Sequence, residues 1–199
     1  MFIITELEDL VKIQPWKFQR DTNEIIKSTL NRKFSNKVLH NVGLCVSLFD
    51  IIKVNEFFLL AGDGATQAKI RFSLIVFRPF IDEILVGKVR GSSRSEGIRV
   101  SLGFFDNVLI LPQSMPHPSR FDDDEQLWVW QYDNEDGTND MIIDIGQDIR
   151  FKVIEEKFID ISPKVSQSGS EAQQSSNSPY TIYGSISESG LGLVSWWDG

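Results

Sequence analysis

The sequence predicts an α+β fold, in which a helix packs on an antiparallel sheet, followed by an all-β barrel or sandwich. The first observation is a helical period that occurs once, between residues 15 and 40. The second is the alternation of apolar and polar residues over 69–77, which is typical of a strand with one buried face. The third is a series of short strand-like runs after Pro79, spaced roughly ten residues apart.

The N-terminal part begins with "FIITELEDLVKI", residues 2–13, which is typical of a strand. The next segment repeats an apolar residue at every fourth position, and this spacing predicts one apolar stripe on a helix. The stripe consists of Ile26, Leu30, Phe34 and Val38. Asp21 or Thr22 is expected to cap the start of this helix.

Three strands are predicted to complete the sheet of residues 1–79. The run 42–52, "VGLCVSLFDII", is apolar enough to be a buried strand, and 56–60, "EFFLL", is a second strand. In the third, "KIRFSLIVF", alternate residues are predicted to face the core. These core residues are Ile70, Phe72, Leu74 and Val76.

The stretch "LLAGDGATQAKIRF", residues 59–72, has the glycines and the lysine of a possible phosphate-binding loop. Such a loop needs a helix after it, whose N-terminal N–H groups point at the anion. A strand is predicted here instead, so a hairpin turn is expected, with Gly62 and Gly64 supplying backbone freedom. An exposed hairpin tip can still dock into a partner.

Residues 80–199 are predicted to form strands and turns with almost no helical period. "NEDGTND", residues 134–140, is typical of a hairpin turn, with Asp-Gly supplying positive φ angles. The Ser- and Gln-rich segment 162–179 is expected to be a flexible insertion before a final strand. The predicted strands are 82–93, 97–105, 107–112, 126–133, 140–146, 148–161 and 180–187.

The composition predicts a soluble intracellular protein of one large or two small domains. The chain has 199 residues and a net charge of -8, and no apolar run in it is long enough to span a bilayer. Its single cysteine favours a reducing compartment. Residues 1–79 hold 11 basic and 8 acidic side chains, whereas 80–199 hold 9 and 20, so the parts carry +3 and -11. This asymmetry fits either two domains with different partners or ordinary solvated surfaces.

No set of residues indicates catalysis, so a protein without enzymatic activity, metal or cofactor is expected. Four consecutive carboxylates, 122–125, are typical of a solvated run, since metal ligands are usually spaced. His40 and His117 are isolated, which disfavours structural zinc. Cys45 lies in an apolar run, where burial would raise its pKa and leave it inert.

A cluster of cations stands out within the acidic second half. Lys88, Arg90, Arg94 and Arg99 lie in the first predicted hairpin, and Phe104 and Phe105 end its second strand. Cations beside aromatic rings on a small barrel suit single-stranded nucleic acid, because the rings stack on bases and the cations contact phosphates. The alternative is that the phenylalanines belong to the core and the cations solubilise an edge.

The other aromatic residues are predicted to pack in the core or to dock onto a surface. Trp128, Trp130 and Tyr132 alternate on one strand face, which is more typical of a core or an interface than of a stacking platform. Trp196 and Trp197 follow the last predicted strand and are expected to dock onto the domain surface or onto a partner.

Several long blocks occur in the order of a known family. "NVGLCVSLFDI", "AGDGATQAKIRFSLIVFRPFIDEILVGKV" and "GIRVSLGFFDNVLILP" resemble the larger stalk subunit of archaeal and eukaryotic DNA-directed RNA polymerases. "LWVWQY" and "GSISESGLGLVSWW" are most similar to the RNA polymerase III member. The resemblance covers residues 1–161 and resumes at Tyr180.

The resemblance implies a tip domain, 1–79, and an OB-fold RNA-binding domain, 80–199, interrupted by the insertion 162–179. It implies a non-catalytic nuclear subunit that pairs with a smaller helical stalk subunit and docks on the polymerase core near the clamp. Expected further partners are transcription initiation factors and nascent single-stranded RNA, during synthesis of transfer RNA and other small RNAs. The alternative from the residues themselves is a free-standing OB-fold protein that binds single-stranded RNA.

By position, the family's core-docking loop falls on Gly62, Asp63, Gly64 and Ala65. Ala61 stands where many members have proline, which makes the exit of the strand less rigid. The family's RNA-binding surface lies on the barrel, so the resemblance favours the candidates found above as RNA contacts. These candidates are Lys88, Arg90, Arg99, Phe104 and Phe105.

Overall fold

The computed structural model describes residues 1–59, 61–134, 137–160 and 178–197. Its internal contacts divide the chain into an N-terminal unit, Met1–Pro79, and a C-terminal unit, Phe80–Gly199. Most of the predicted insertion 162–179 lies outside the described residues. In the described part of the chain, no helix has the length and apolar character needed to cross a membrane.

The N-terminal unit is a four-stranded antiparallel sheet with one α-helix. The strands lie side by side in the order β1, β4, β3 and β2, so β4 is central and pairs along its whole length with β1. The elements are β1 (Phe2–Ile13), α1 (Thr22–Phe34), β2 (Lys37–Leu39), β3 (Gly43–Leu59) and β4 (Thr66–Phe77).

The helix covers one face of this sheet, as its apolar stripe predicted. Ile26 and Leu30 are fully buried, and the Phe34 ring lies 5.4 Å from the ring of Phe72 in β4. The predicted core residues of β4 are all fully buried, which confirms the alternation. Two details differ: Val38 belongs to β2, and the N-cap residue Asp21 makes no side-chain capping hydrogen bond.

The prediction of a buried strand at 42–52 and a separate strand at 56–60 was wrong. A single 17-residue strand, β3, covers both, and its register with β4 shifts at four places. Each shift inserts an extra residue, so the side chains that pack against the core recur at about every third position instead of every second. Val46, Phe49 and Ile52 are the inserted residues at the first three shifts, and all three are exposed.

The C-terminal unit is an OB-like barrel with a small sheet inserted between its third and fourth strands. The barrel strands are β5 (Ile84–Ser93), β6 (Gly97–Ser101), β7 (Val108–Ile110), β11 (Asp148–Phe158) and β12 (Tyr180–Ser185). Strand β12 pairs in parallel with β7 and in antiparallel with β11, and β11 pairs with β5, so the five strands close on themselves.

The inserted sheet is antiparallel and contains β8 (Ser119–Asp122), β9 (Leu127–Asn134) and β10 (Gly137–Ile143). Strand β8 was not predicted. The hairpin between β9 and β10 was predicted, but Gly137 pairs with Asn134 inside the ladder, and the turn residues 135–136 lie outside the described residues. A two-residue strand, β13 (Gly192–Leu193), and a 3₁₀ turn at Val194–Trp196 follow the barrel.

Gly97 in β6 lies very close to the backbone of the neighbouring barrel strand β7. A Cβ atom at Gly97 would lie 2.0 Å from the Ile110 carbonyl oxygen, whereas a Cβ at Gly103 would meet no atom within 4 Å. Both glycines have positive φ, +84° and +88°, so alanine introduces a similar backbone strain of about 1 kcal/mol at either position. We expect Gly97→Ala to lower the free energy of unfolding by at least about 2 kcal/mol more than Gly103→Ala.

Urea denaturation of the two variants, followed by tryptophan fluorescence, measures this difference. Equal losses would show that backbone strain alone, and not the approach of β7, requires glycine at position 97.

Candidate functional site

The predicted tip loop is a hairpin turn between β3 and β4. Gly62 and Gly64 have φ angles of +86° and +65°, in the region that favours glycine. The element after the loop is the strand β4, so no helix N-terminus is present to hold a phosphate there. The hairpin interpretation is therefore confirmed, and the phosphate-loop alternative is excluded.

The four residues assigned to the tip loop differ in exposure. Lys12 of β1 pairs with the Asp63 carboxylate at the surface, and a Cβ atom on Gly62 would point into open space. Ala65 is fully buried, so its side chain belongs to the core of the unit. The exposed part of the loop is Gly62–Gly64.

Two large apolar side chains near this loop were missed as site candidates. Phe58 and Leu59 end β3, and 65% and 70% of their surfaces are exposed. Large exposed apolar side chains next to each other indicate a contact surface. We call Phe58, Leu59 and Gly62–Gly64 the tip surface. The sequence signal was the pair of apolar residues directly before the turn, which was interpreted only as strand.

Three of the predicted RNA-binding cations lie together on the outside of the barrel. In β5, Leu85 and Val89 point inward, while Lys88 and Arg90 are exposed. In β6, Arg99 is exposed between buried Ile98 and Val100. We call Lys88, Arg90 and Arg99 the basic face. It follows from the strand alternation that these cations share the outer surface of the barrel.

Acidic neighbours partly neutralise the basic face. Lys88 lies 3.8 Å from the Asp148 carboxylate, and Arg99 lies 3.0 Å from that of Glu96. Arg90 has no carboxylate partner among the described residues. It lines two shallow clefts of about 350 Å³ each, one with Glu96 and Arg99 and the other with Lys88 and Asp148. Arg90 is thus the cation of this face that is most available to a phosphate.

The two phenylalanines beside this hairpin have different positions. Strand β6 ends at Ser101, so Phe104 and Phe105 lie in the following loop and not in the strand as predicted. Phe105 is 5% exposed and its ring lies 5.4 Å from that of Tyr180, so it packs in the core. Phe104 is 47% exposed. Of the two rings, Phe104 is the one that a base can reach.

The acidic run forms a local turn. The side chain of Asp122 accepts hydrogen bonds from the backbone N–H groups of Asp124 and Glu125, at 3.0 and 3.4 Å. Asp123 accepts two hydrogen bonds from Arg94, which removes that arginine from the basic face. Among the described residues, no group of three or more His, Cys, Asp or Glu side chains could hold a metal ion.

Cys45 lies in the core of the N-terminal unit, and desolvation raises the pKa of its thiol. A buried neutral thiol is a poor nucleophile.

The aromatic residues of β9 connect the small sheet to the end of the chain. Trp128 is buried and donates a hydrogen bond from Nε1 to the Ser93 carbonyl at 3.0 Å. The Trp130 ring lies 5.1 Å from that of Tyr132 and 5.3 Å from that of Trp196. Trp197 donates from Nε1 to the Leu191 carbonyl at 3.0 Å. The terminal tryptophans therefore dock on their own unit, which is one of the two predicted outcomes.

The two units define the class of protein. Residues 8–64 match the model described as the SHS2 domain found in the N terminus of Rpb7p/Rpc25p/MJ0397, and residues 83–197 match the RNA polymerase III subunit Rpc25 model. Together the two matches identify a subunit of DNA-directed RNA polymerases.

The chain belongs to the RNA polymerase III subunit Rpc25 family, also named RPC8. It is 50% identical to DNA-directed RNA polymerase III subunit RPC8 of Bos taurus, over 99% of this chain and 98% of the bovine protein. It is 38% identical to the Schizosaccharomyces pombe subunit, over 99% and 100%, and 35% identical to the Saccharomyces cerevisiae subunit, over the whole of both chains. The chain is therefore a polymerase subunit and not an enzyme by itself, as its sequence predicted.

Proposed function

We propose that this chain is the larger stalk subunit of nuclear RNA polymerase III. In this function it pairs with a smaller helical stalk subunit, docks on the polymerase core near the clamp, and supports initiation at genes for transfer RNA and other small RNAs. The observation that carries the proposal is the 50% identity to a RNA polymerase III subunit over 99% of the chain. At this identity and coverage, both units and their order are shared with the relative.

Exposed apolar side chains on the N-terminal unit support assembly with other proteins. On the face of β1 that points away from the core, Phe2, Ile4 and Leu10 are exposed, and on β3 the same holds for Val46 and Phe49. A soluble chain that worked alone would rarely expose so many large apolar side chains in one small unit. This favours the subunit function over a free-standing RNA-binding protein.

Affinity purification tests the assembly. We expect the tagged chain, expressed in cells of its own species, to co-purify with the largest subunit of RNA polymerase III and with one smaller helical partner. Mass spectrometry of the eluate identifies both. A chain that elutes alone, or with the largest subunit of a different polymerase, would contradict the proposal.

The tip surface is the proposed contact with the polymerase core. Its turn projects from the end of the β3–β4 hairpin, with Gly62 and Gly64 at positive φ and the Asp63 carboxylate paired with Lys12 of β1. Phe58 and Leu59 supply apolar area beside the turn. An exposed, partly apolar projection of this kind is suited to burial in a pocket of a partner, because insertion removes its apolar area from water.

A long side chain on Gly62 should block this insertion. We expect Gly62→Arg to weaken association with the polymerase core about tenfold or more, equivalent to about 1.4 kcal/mol, while pairing with the smaller subunit is retained. The matched control is Gly146→Arg in the C-terminal unit, where φ is +93° and a Cβ would also meet no atom within 4 Å. The amounts of polymerase core and of smaller subunit that co-purify with each variant measure the two associations. Equal loss of both partners with Gly62→Arg would contradict a docking function.

The basic face is the proposed contact with nascent RNA. The C-terminal unit carries -11 overall, so a long nucleic acid would be repelled from most of its surface. On the basic face the cations Lys88, Arg90 and Arg99 outnumber the carboxylates Glu96 and Asp148. Phe104 adds an exposed ring. These groups suit a short stretch of single-stranded RNA, with phosphates at the cations and a base on the ring.

Charge reversal at one position tests the RNA contact. We expect Arg90→Glu to weaken binding of a single-stranded RNA by the full chain about three- to tenfold, and to lower the salt dependence of binding by about one ion. Arg120→Glu is the matched control, because it changes the net charge equally but lies in the small sheet, paired with Asp140. Fluorescence anisotropy over a range of salt concentrations measures the affinity of each variant for RNA and the salt dependence of that affinity. Equal weakening by the two variants would show that only overall charge matters.

A further inference from the structure

A cavity of about 440 Å³ lies between the small sheet and the end of the chain, at some of the aromatic residues described above. Its walls include the rings of Trp130, Tyr132, Trp196 and Trp197, together with the thioether of Met141. It is separate from the tip surface and from the basic face, since it shares no residue with either. No function assigned above uses it.

Contacts with the backbone of the C-terminal segment position the two indoles that line this cavity. Gly192 lies so close to Trp196 that a Cβ atom there would be 2.3 Å from the indole ring. The hydrogen bond from Trp197 Nε1 to the Leu191 carbonyl orients the second indole. Both indoles are thus positioned by contacts with the backbone of their own segment.

The rings of the cavity are inclined to one another. The planes of Trp130 and Tyr132 make an angle of 55°, and those of Trp130 and Trp196 make an angle of 42°. Trp130 therefore packs against both neighbouring rings, and the three rings form one aromatic wall on which a guanidinium can stack.

The charges around the cavity also favour a cation as its ligand. Among the described residues no lysine or arginine lines it, and its polar wall consists of Ser187, Glu188 and Ser189. Glu188 pairs with Lys152 at 2.8 Å, and Lys152 also pairs with Asp82 at 3.0 Å, so these three groups together carry a net negative charge. A phosphate would meet a net negative charge here, whereas a cation would meet aromatic rings and the Glu188 carboxylate, which also pairs with Lys152.

We propose that this cavity binds an arginine side chain in a segment of a partner protein. The guanidinium plane stacks on an indole face while its N–H groups still donate to oxygens at its edge, and here Ser187, Glu188 and Ser189 supply such oxygens. A lysine ammonium offers no plane for stacking. The volume exceeds that of one guanidinium, so it also holds the aliphatic stem and an adjoining residue of the segment.

The test uses the full chain with its tryptophan side chains labelled with ¹⁵N, so that each indole N–H gives one NMR signal. The probes are the peptide acetyl-Gly-Gly-Arg-Gly-Gly-amide and its citrulline counterpart, which has nearly the same shape without the charge. We expect the arginine peptide to shift the signals of Trp130, Trp196 and Trp197, and those of Trp16 and Trp128 to stay unchanged. The citrulline peptide should bind at least about fivefold more weakly.

Two variants separate the carboxylate of the cavity from general charge effects. Glu188→Gln should weaken binding of the arginine peptide about threefold or more. Asp82→Asn removes the same amount of negative charge from this group without changing the lining of the cavity, so it should weaken binding less than Glu188→Gln does. Tyr132→Leu removes one ring of the cavity wall at a side chain that is 38% exposed, and should weaken binding as well.

Three results would overturn the proposal. The first is no shift of the three signals at about 5 mM arginine peptide, and the second is equal binding of the arginine and citrulline peptides. The third is that a single-stranded RNA pentamer shifts these signals more strongly than the arginine peptide, which would assign the cavity to a base. None of these results bears on whether the chain co-purifies with RNA polymerase III, so the two proposals fail independently.

Discussion

Closure of the barrel by β12 is the constraint on which the C-terminal unit depends. This strand pairs in parallel with β7 and in antiparallel with β11, so without it the barrel would be an open sheet with two unpaired edges. Gly184 allows the closure, because a Cβ there would lie 2.7 Å from the Phe151 ring. Closure fixes the curvature that presents β5 and β6 outward. It also places the segment after β12, with Trp196, against the small sheet.

The sequence predicted those elements in which a single period runs without interruption. The helical stripe through Ile26 and Leu30 and the alternation in β4 are both correct, because each is set by one buried face. The same reasoning failed in β3, where register shifts insert Val46, Phe49 and Ile52. A bulge depends on how the neighbouring strand pairs, and a pattern along one strand does not contain that information.

For the candidate sites, too, sequence patterns predicted only the features that lie within single strands or one hairpin. The cations of the basic face could be found from the sequence, since exposed alternate positions on two consecutive strands of a hairpin must share a face. Exposure could not be predicted for adjacent residues in loops: Phe105 is buried beside exposed Phe104, and Ala65 is buried beside exposed Gly64. The aromatic cavity could not be predicted at all, because Trp130 and Trp196 meet only after the barrel has closed.

Electrostatic screening reconciles an acidic unit with a proposed RNA contact. At physiological salt the Debye length is about 8 Å, so carboxylates farther than that from a bound phosphate contribute little repulsion. The balance is therefore decided by the groups near Arg90: Lys88 and Arg99 offset the charges of Asp148 and Glu96, and Arg90 itself leaves a net positive charge. Attraction of this kind is short in range and weak. Such a weak surface suits a transcript that must keep moving better than a tight site does. Each contact between one phosphate and one cation breaks easily, so the RNA can advance.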